Sequence, residues 1–477
     1  MGIAEPAERD PDLALFRLRM AASARVRAHL PGDIGGFAAA ITTGDRSAIS
    51  QAALQNLRSS NLAHLLAISG LHMGLLSAVV FGAARLILAL HPVSATGWPS
   101  RSIAAAAALI AATGYLALSG GNVATERAYI MCAVALCALM IGRRAISLRA
   151  VAVAGIIVLT LRPEALMGPG FQMSFAATTA LVAVSGWMRD FEGEVIPKRL
   201  RPVAAIVISS AVAGFATAPI SAAHFNTVAH YGLVANLLSV PLMGVLVIPA
   251  AVLAAILAPI GGEGLPLWAM GLGLRWILSV ADLVAHLPGA RSFVPGPGGW
   301  VLPLLSLGFL WLILWQGRMR WLGAPAMLLS FALWQGDTRP DVLVADTGTL
   351  VGVMTPAGRA LSKERGAGFV ARNWLENDGD GVDQAMAAQR WAAQEAGIIH
   401  LSGKRAVAAF TGCQPEDIVV ASVEIKTAQA WGCPIYDPVR LRETGALALT
   451  KSSQGWQITT ARDRAGLRLW NSRPKRQ

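Results

Sequence analysis

Long apolar runs separated by short polar or basic seams fill residues 61–336. This pattern predicts a bundle of about ten membrane-spanning helices, each near the ~20 residues that a bilayer requires. The spans centre near residues 77, 111, 134, 154, 179, 212, 245, 276, 308 and 328. Those near 134, 154 and 328 are short, and the run from Leu233 to Pro259 is long enough that Pro241 and Pro249 could divide it in two. Before residue 61 the pattern is polar to amphipathic and is punctuated by Pro6, Pro11, Pro31 and Gly32. Arg17, Arg19, Arg25 and Arg27, interleaved with Leu and Val, suit a basic amphipathic helix against a membrane surface or phosphate, or equally an ordinary solvated face. Beyond residue 337 short β-like runs (Val342 to Ala345, Val407 to Phe410, Ile418 to Val423, Leu447 to Thr450) alternate with glycine and charged turns, and Gln384 to Ala396 reads as one helix. The fold class is therefore an all-α polytopic membrane bundle (61–336), with a polar N-terminal segment (1–60) and a small soluble α+β domain (337–477).

One stretch breaks the apolar rule from within. His64 to Leu76 reads HLLAISGLHMGLL, with two histidines, a serine and two glycines where lipid favours Leu or Val. An unpaired polar group in hydrocarbon costs several kcal/mol, so these residues must face a partner or a cavity. On a helix Ser69 and His72 touch, and His64 lies about 80° round from His72, which makes one polar stripe. Gly70 weakens the helix between them and favours a break.

Composition agrees with a membrane protein: 54% of the 477 residues are hydrophobic and 14% charged, where soluble domains carry about 25% charged residues. The formal charge is +12. A basic excess suits nucleic acid or anionic lipid, but arginines in cytoplasmic loops also serve to fix topology. Arg143, Arg144 and Arg149 follow the third span, Lys198, Arg199 and Arg201 the fifth, and Arg318 and Arg320 the ninth. With 233–259 as one span these clusters share the cytoplasmic side, and the tail from 337 is periplasmic. Arg46 and Arg58, just before the first span, argue the other way. No signal peptide is visible in the Arg-rich first 30 residues. Cys132 and Cys137 lie in a span, whereas Cys413 and Cys433 can form a disulfide if the tail sits in an oxidising compartment. No zinc-ligand spacing and no cofactor motif is present.

The His64–Leu76 stretch, with TGDRSAIS before it (Thr43 to Ser50), resembles the core of the ComEC-type competence proteins. TERAYIM (Thr125 to Met131), GFQMSFAATTAL (Gly170 to Leu181) and APISAAHFNTVAHYGLVANLLSVPLMG (Ala218 to Gly244) follow in the order of that family, and the resemblance covers residues 31–335. It implies an inner-membrane channel that takes up single-stranded DNA during natural transformation. The implied partners are DNA-delivery and cytoplasmic DNA-processing proteins, with a second copy of the chain left open. In such proteins an anchor and a small β-domain precede this region, and a metallo-β-lactamase-like domain with an H-x-H-x-D-H cluster follows it. Here DVLVADTGTLVGV (Asp341 to Val353) is faintly similar to that domain's opening strands. His400 is the only histidine after His286, so the domain reads as degenerate and metal-free.

Candidate path residues are His64, Ser69 and His72; Arg127, whose charge in a span needs a carboxylate, headgroup or phosphate; and Gln172 and Ser174, set between Phe171 and Phe175. His224, Asn226, His230 and Asn236 form a further polar cluster, in which Asn226 and His230 sit four apart and Pro219 suggests a discontinuous helix. The commoner fate of such residues is to pair with neighbouring helices. Two rivals remain: a small-solute transporter, and an intramembrane hydrolase using Ser69 with His72 as base.

Overall fold

The computed structural model describes residues 11–90, 99–190, 197, 199–391, 397–425, 432–453, 455–466 and 468. The chain divides into two compact units, Met1–Ser221 with Val228–Ser292, and Ala222–Thr227 with Phe293–Gln477. Neither boundary falls at residue 60 or 336, where composition changes.

The first unit opens with α1 (Pro11–His29), α2 (Gly32–Thr43), α3 (Gln51–Ser59) and α4 (Ala63–Leu66). The bundle follows as α5 (Gly70–Leu90), α6 (Ser100–Leu118), α7 (Val123–Met140), α8 (Leu148–Leu161), α9 (Pro169–Asp190), α10 (Arg201–Phe225), α11 (Gly232–Ile260) and α12 (Gly264–Ala285). All ten expected span centres fall on helices. Six of these helices are long and apolar enough to cross a bilayer among the described residues, namely α5, α6, α7, α10, α11 and α12, while α8 is apolar but shorter. Helix α11 is continuous over 29 residues. Pro241 and Pro249 do not divide it, and a π-turn at Met243–Val247 lies between them.

Helix α2 belongs to the core and not to a polar tail. Phe37 and Ile41 are buried among Leu57, Leu65, Met270 and Leu274. At Gly36 a Cβ would lie 2.6 Å from the Ala48 carbonyl oxygen, so glycine is what allows the chain to close there. Three of the four arginines that suggested a phosphate-binding face serve this packing. Arg19 donates to the Thr43 carbonyl (2.7 Å), Arg25 pairs with Glu263, and Arg27 lies 3.9 Å from Asp45. The Ser23 hydroxyl, and after it Ser47 and Arg27, hold the Asp45 carboxyl down at about 2 against the opposing effect of burial.

In the second unit α13 (Val301–Leu314) and α14 (Gly323–Gln335) form a hairpin closed at two glycines, where a Cβ on Gly308 would sit 2.7 Å from the Gly323 carbonyl. After two three-residue strands earlier in the chain, β1 (Thr227–Ala229) and β2 (Arg291–Phe293), the residues beyond 337 supply eight more. They are β3 (Val342–Val344), β4 (Val351–Thr355), β5 (Gly358–Leu361), β6 (Ile398–Leu401), β7 (Ile418–Ala421), β8 (Ile435–Tyr436), β9 (Leu447–Ser452) and β10 (Gly455–Thr460). An antiparallel sheet has the order β10-β9-β3-β4-β5, and a parallel one the order β6-β7-β8.

The run Val407 to Phe410, expected as a strand, is instead the end of a helix, Gly403–Ala408, and the residues after it. Ala406, Val407 and Phe410 stand at helical spacing and pack on β7 as one stripe, while Lys404 and Arg405 favour helix. The expected helix over Gln384 to Ala396 spans Gln384–Gln389, and residues 392–396 lie outside the described residues, as does Lys198. Cys413 and Cys433 are joined by a disulfide, with their Cα atoms 6.1 Å apart. His400 on β6 lies 3.0 Å by Nε2 from the Gly348 carbonyl, and burial pushes its pKa below the ordinary histidine value. Among the described residues no three His, Cys, Asp or Glu side chains converge on a metal position.

Candidate functional site

The helix breaks where the sequence is polar. Helix α4 ends at Leu66, Ala67 is extended, and α5 restarts at Gly70. The Ser69 carbonyl then accepts from Met73 N (3.1 Å) as the first turn of α5. The His72 side chain folds back on this turn: Nδ1 accepts from Ser69 N–H (3.4 Å) and lies 3.0 Å from Ser69 Oγ. An accepting Nδ1 leaves the ring proton on Nε2. That atom is buried without a hydrogen-bond partner, in a side chain that is itself fully buried.

His64 is accessible, and its Nδ1 donates to the Asn61 carbonyl (3.0 Å). Asn61 takes a left-handed φ of 61°, and its side chain fills the space over Gly232, where a Cβ would lie 2.8 Å from Asn61 Nδ2. Further on, Leu75 of α5 packs on Gly244 of α11 (3.4 Å from a Cβ there). Among the described residues, the segments bracketed by these two contacts carry three buried polar atoms with no partner: His72 Nε2, Asn236 Oδ1 and Ser239 Oγ. Asn236 and Ser239 are three apart and share a face of α11. Asn61 and Ser239 escaped the sequence reading. The only signal was the Ser-Ser-Asn run of residues 59–61, which favours a turn.

The other candidates are placed elsewhere. The helical face expected for Asn226 and His230 is not formed. Helix α10 runs through Pro219 without a break to Phe225, and residues 227–229 are strand, so Asn226 and His230 share no helical face. His230 Nε2 lies 2.8 Å from Ser292 Oγ, while Asn226, at φ 54°, donates from Nδ2 to the Val294 carbonyl (3.2 Å). His224 closes the last turn of α10. Gln172 Nε2 donates to the Leu166 carbonyl (3.0 Å), and the Ser174 carbonyl accepts from Thr178 Oγ1. Phe171 and Phe175 meet as a tilted pair, centroids 4.3 Å apart, with Phe175 also against Gly155, which is helix packing. Arg127 is not paired with its neighbour Glu126, whose carboxylate is taken by Arg162 (2.9 and 3.1 Å). The Ser69–His72 contact has the reach of a nucleophile and base, but among the described residues no side chain accepts from Nε2 to orient the ring as a triad would.

Residues 41–319 match the family model described as competence protein, more than half of the chain, and the chain belongs to that family. It is 26% identical over 288 residues to ComE operon protein 3 of Bacillus subtilis (strain 168), which covers 60% of this chain and 35% of that protein. It is also 28% identical over 355 residues to competence protein ComA of Neisseria gonorrhoeae, covering 71% of this chain and 48% of that one. The chain thus spans about half or less of the length of these relatives. No solved structure matches it.

Proposed function

We propose that this chain forms the membrane conduit through which one strand of DNA enters the cytoplasm during natural transformation. The observation that carries this reading is the set of orphaned buried atoms on α5 and α11: His72 Nε2, Asn236 Oδ1 and Ser239 Oγ. Each costs about 1–3 kcal/mol when left unsatisfied, a cost that makes sense where water and a polar ligand pass. The competence names of both relatives point to the same process. His64, accessible beside this seam, would meet the strand first. Partners would be the single strand itself, proteins that deliver it and proteins that process it inside the cell.

The charge distribution orients the bundle. Arg85 donates to Ser100 Oγ (3.0 Å) and Ser102 Oγ to the Met140 carbonyl (3.2 Å), so Arg85, Arg101, Arg143, Arg144 and Arg149 gather at one end of α5–α8. Glu126, the one acidic residue from 85 to 149, stands on the first turn of α7, at the other end. By the positive-inside rule the arginine end is cytoplasmic. Adding α8, α9, α13 and α14 to the six long helices gives ten crossings of the inner membrane, which leaves residues 337–477 periplasmic. An oxidising compartment there suits the Cys413–Cys433 disulfide.

Cells deleted for this gene, given a labelled selectable fragment, should hold the DNA outside the cytoplasm until wild type is restored. In the same cells Cys413 and Cys433 should react with a maleimide only after reduction. Unchanged uptake in the deletion would favour a small-solute transporter instead, and free thiols before reduction would reverse the orientation.

A further inference from the structure

On the far side of α7 from this seam lies a second polar feature that the conduit does not use. A cleft of about 450 Å³ opens among α6, α7 and the end of α8. Its walls are Leu116, Ile130, Leu161 and the ring of Tyr129, and its ionic groups are Glu126, Arg162 and Glu164. A recess of only about 20 Å³, room for about one water, shares its wall at Glu126, Ile130, Leu161 and Arg162 and is lined by Arg127. The Arg127 guanidinium lies against Gly170, where a Cβ would stand 2.6 Å from Nη2. Among the described residues its Nε is buried with no acceptor, and Arg162 pairs with the carboxylate of the neighbouring Glu126. A guanidinium so placed lacks both a counter-charge and a hydrogen-bond acceptor, and one oxyanion supplies both.

We propose that this cleft binds an anionic phospholipid, with the headgroup phosphate meeting the Arg127 guanidinium at the mouth of the recess and the first part of an acyl chain along Leu116, Ile130 and Leu161. Two observations favour lipid over a passing DNA strand. The cleft borders a surface meant for bilayer, with Leu161 67% and Val123 44% exposed. Its one aromatic hydroxyl is committed to Thr113 (2.9 Å), and Arg162 is the only other cation in its described lining, whereas a strand needs a track of cations and stacking faces. The site is thus independent of the conduit and can fail or stand without it.

The test uses the full chain in phosphatidylcholine nanodiscs titrated with phosphatidylglycerol. Bound lipid is read by native mass spectrometry and stabilisation by thermal melting. Wild type should retain phosphatidylglycerol and melt higher with it. Arg127→Gln should raise the half-saturating lipid fraction about tenfold or more, the scale of one lost charge-assisted hydrogen bond. Ile130→Trp, which fills the cleft but keeps Arg127, should do the same and guards against misfolding of the first variant. Phosphatidylglycerol retained by both variants would overturn the proposal. So would its displacement from wild type by an oligothymidylate, which would assign the phosphate to DNA.

Discussion

Replacing His72 by leucine is expected to stop DNA internalisation while leaving the folded chain about as stable as before. The imidazole is fully buried, and its Nε2 has no partner, a fixed cost of about 1–3 kcal/mol that leucine removes. The substitution also loses the Nδ1 contacts with Ser69 at 3.0 and 3.4 Å, worth about 1 kcal/mol together with their share in starting α5. The two effects nearly cancel, so melting in detergent should move little. Uptake should fall at least about tenfold, the change that roughly 1.4 kcal/mol in a barrier produces. A packing role predicts the reverse: a lower melting temperature, with uptake reduced only in proportion to the folded protein that remains. Measuring both on the same variant separates the two.

The largest stability effect is expected far from the bundle. Arg359 on β5 is wholly buried and donates to Asp378, to the Gly352 carbonyl (3.2 Å) and to the Pro340 carbonyl (3.0 Å), while Arg339 holds Asp378 from the other side (2.9 Å). Arg359→Ala leaves a carboxylate that is 2% exposed facing a cavity and frees two carbonyls, a loss of about 3–5 kcal/mol. Tryptophan fluorescence of the full chain in denaturant should show the transition of the soluble domain moved early by that amount. Arg359→Lys should recover only part of it, since an ammonium cannot span Asp378 and both carbonyls at once. A shift under about 1 kcal/mol for Arg359→Ala would mean that the network is dispensable.

What the sequence disclosed followed from local rules. Apolar length located α5, α6, α7 and α10 to α12, and the cost of polar groups in lipid picked out Ser69, Gly70 and His72; the helix does break, but at Ala67 to Ser69, just before Gly70 rather than at it. The charge of Arg127 demanded an explanation before its surroundings were known. What stayed hidden depends on distant partners. Helix α2 is too short and too rich in alanine and glycine to read as core, and its burial is set by α12, more than 200 residues further on. Asn61 matters because Gly232 leaves room for it, a pairing that no spacing in either segment announces. The Asn226–His230 face failed for a different reason: residues 227–229 extend as a strand, and periodicity cannot reveal that choice in so short a stretch. Pro219 and Pro241 sit inside helices, and in α11 a π-turn follows Pro241 at Met243–Val247.

The most direct test of the conduit is to place a photo-crosslinking residue at Asn236, beside the orphaned atoms of α11, and in parallel at Leu86, which is 63% exposed on the outer face of α5. Each strain then takes up labelled DNA and is irradiated during transfer. The strand in transit should attach at position 236 and not at 86. Attachment at neither position, or at 86 alone, while uptake proceeds normally would contradict a path between α5 and α11.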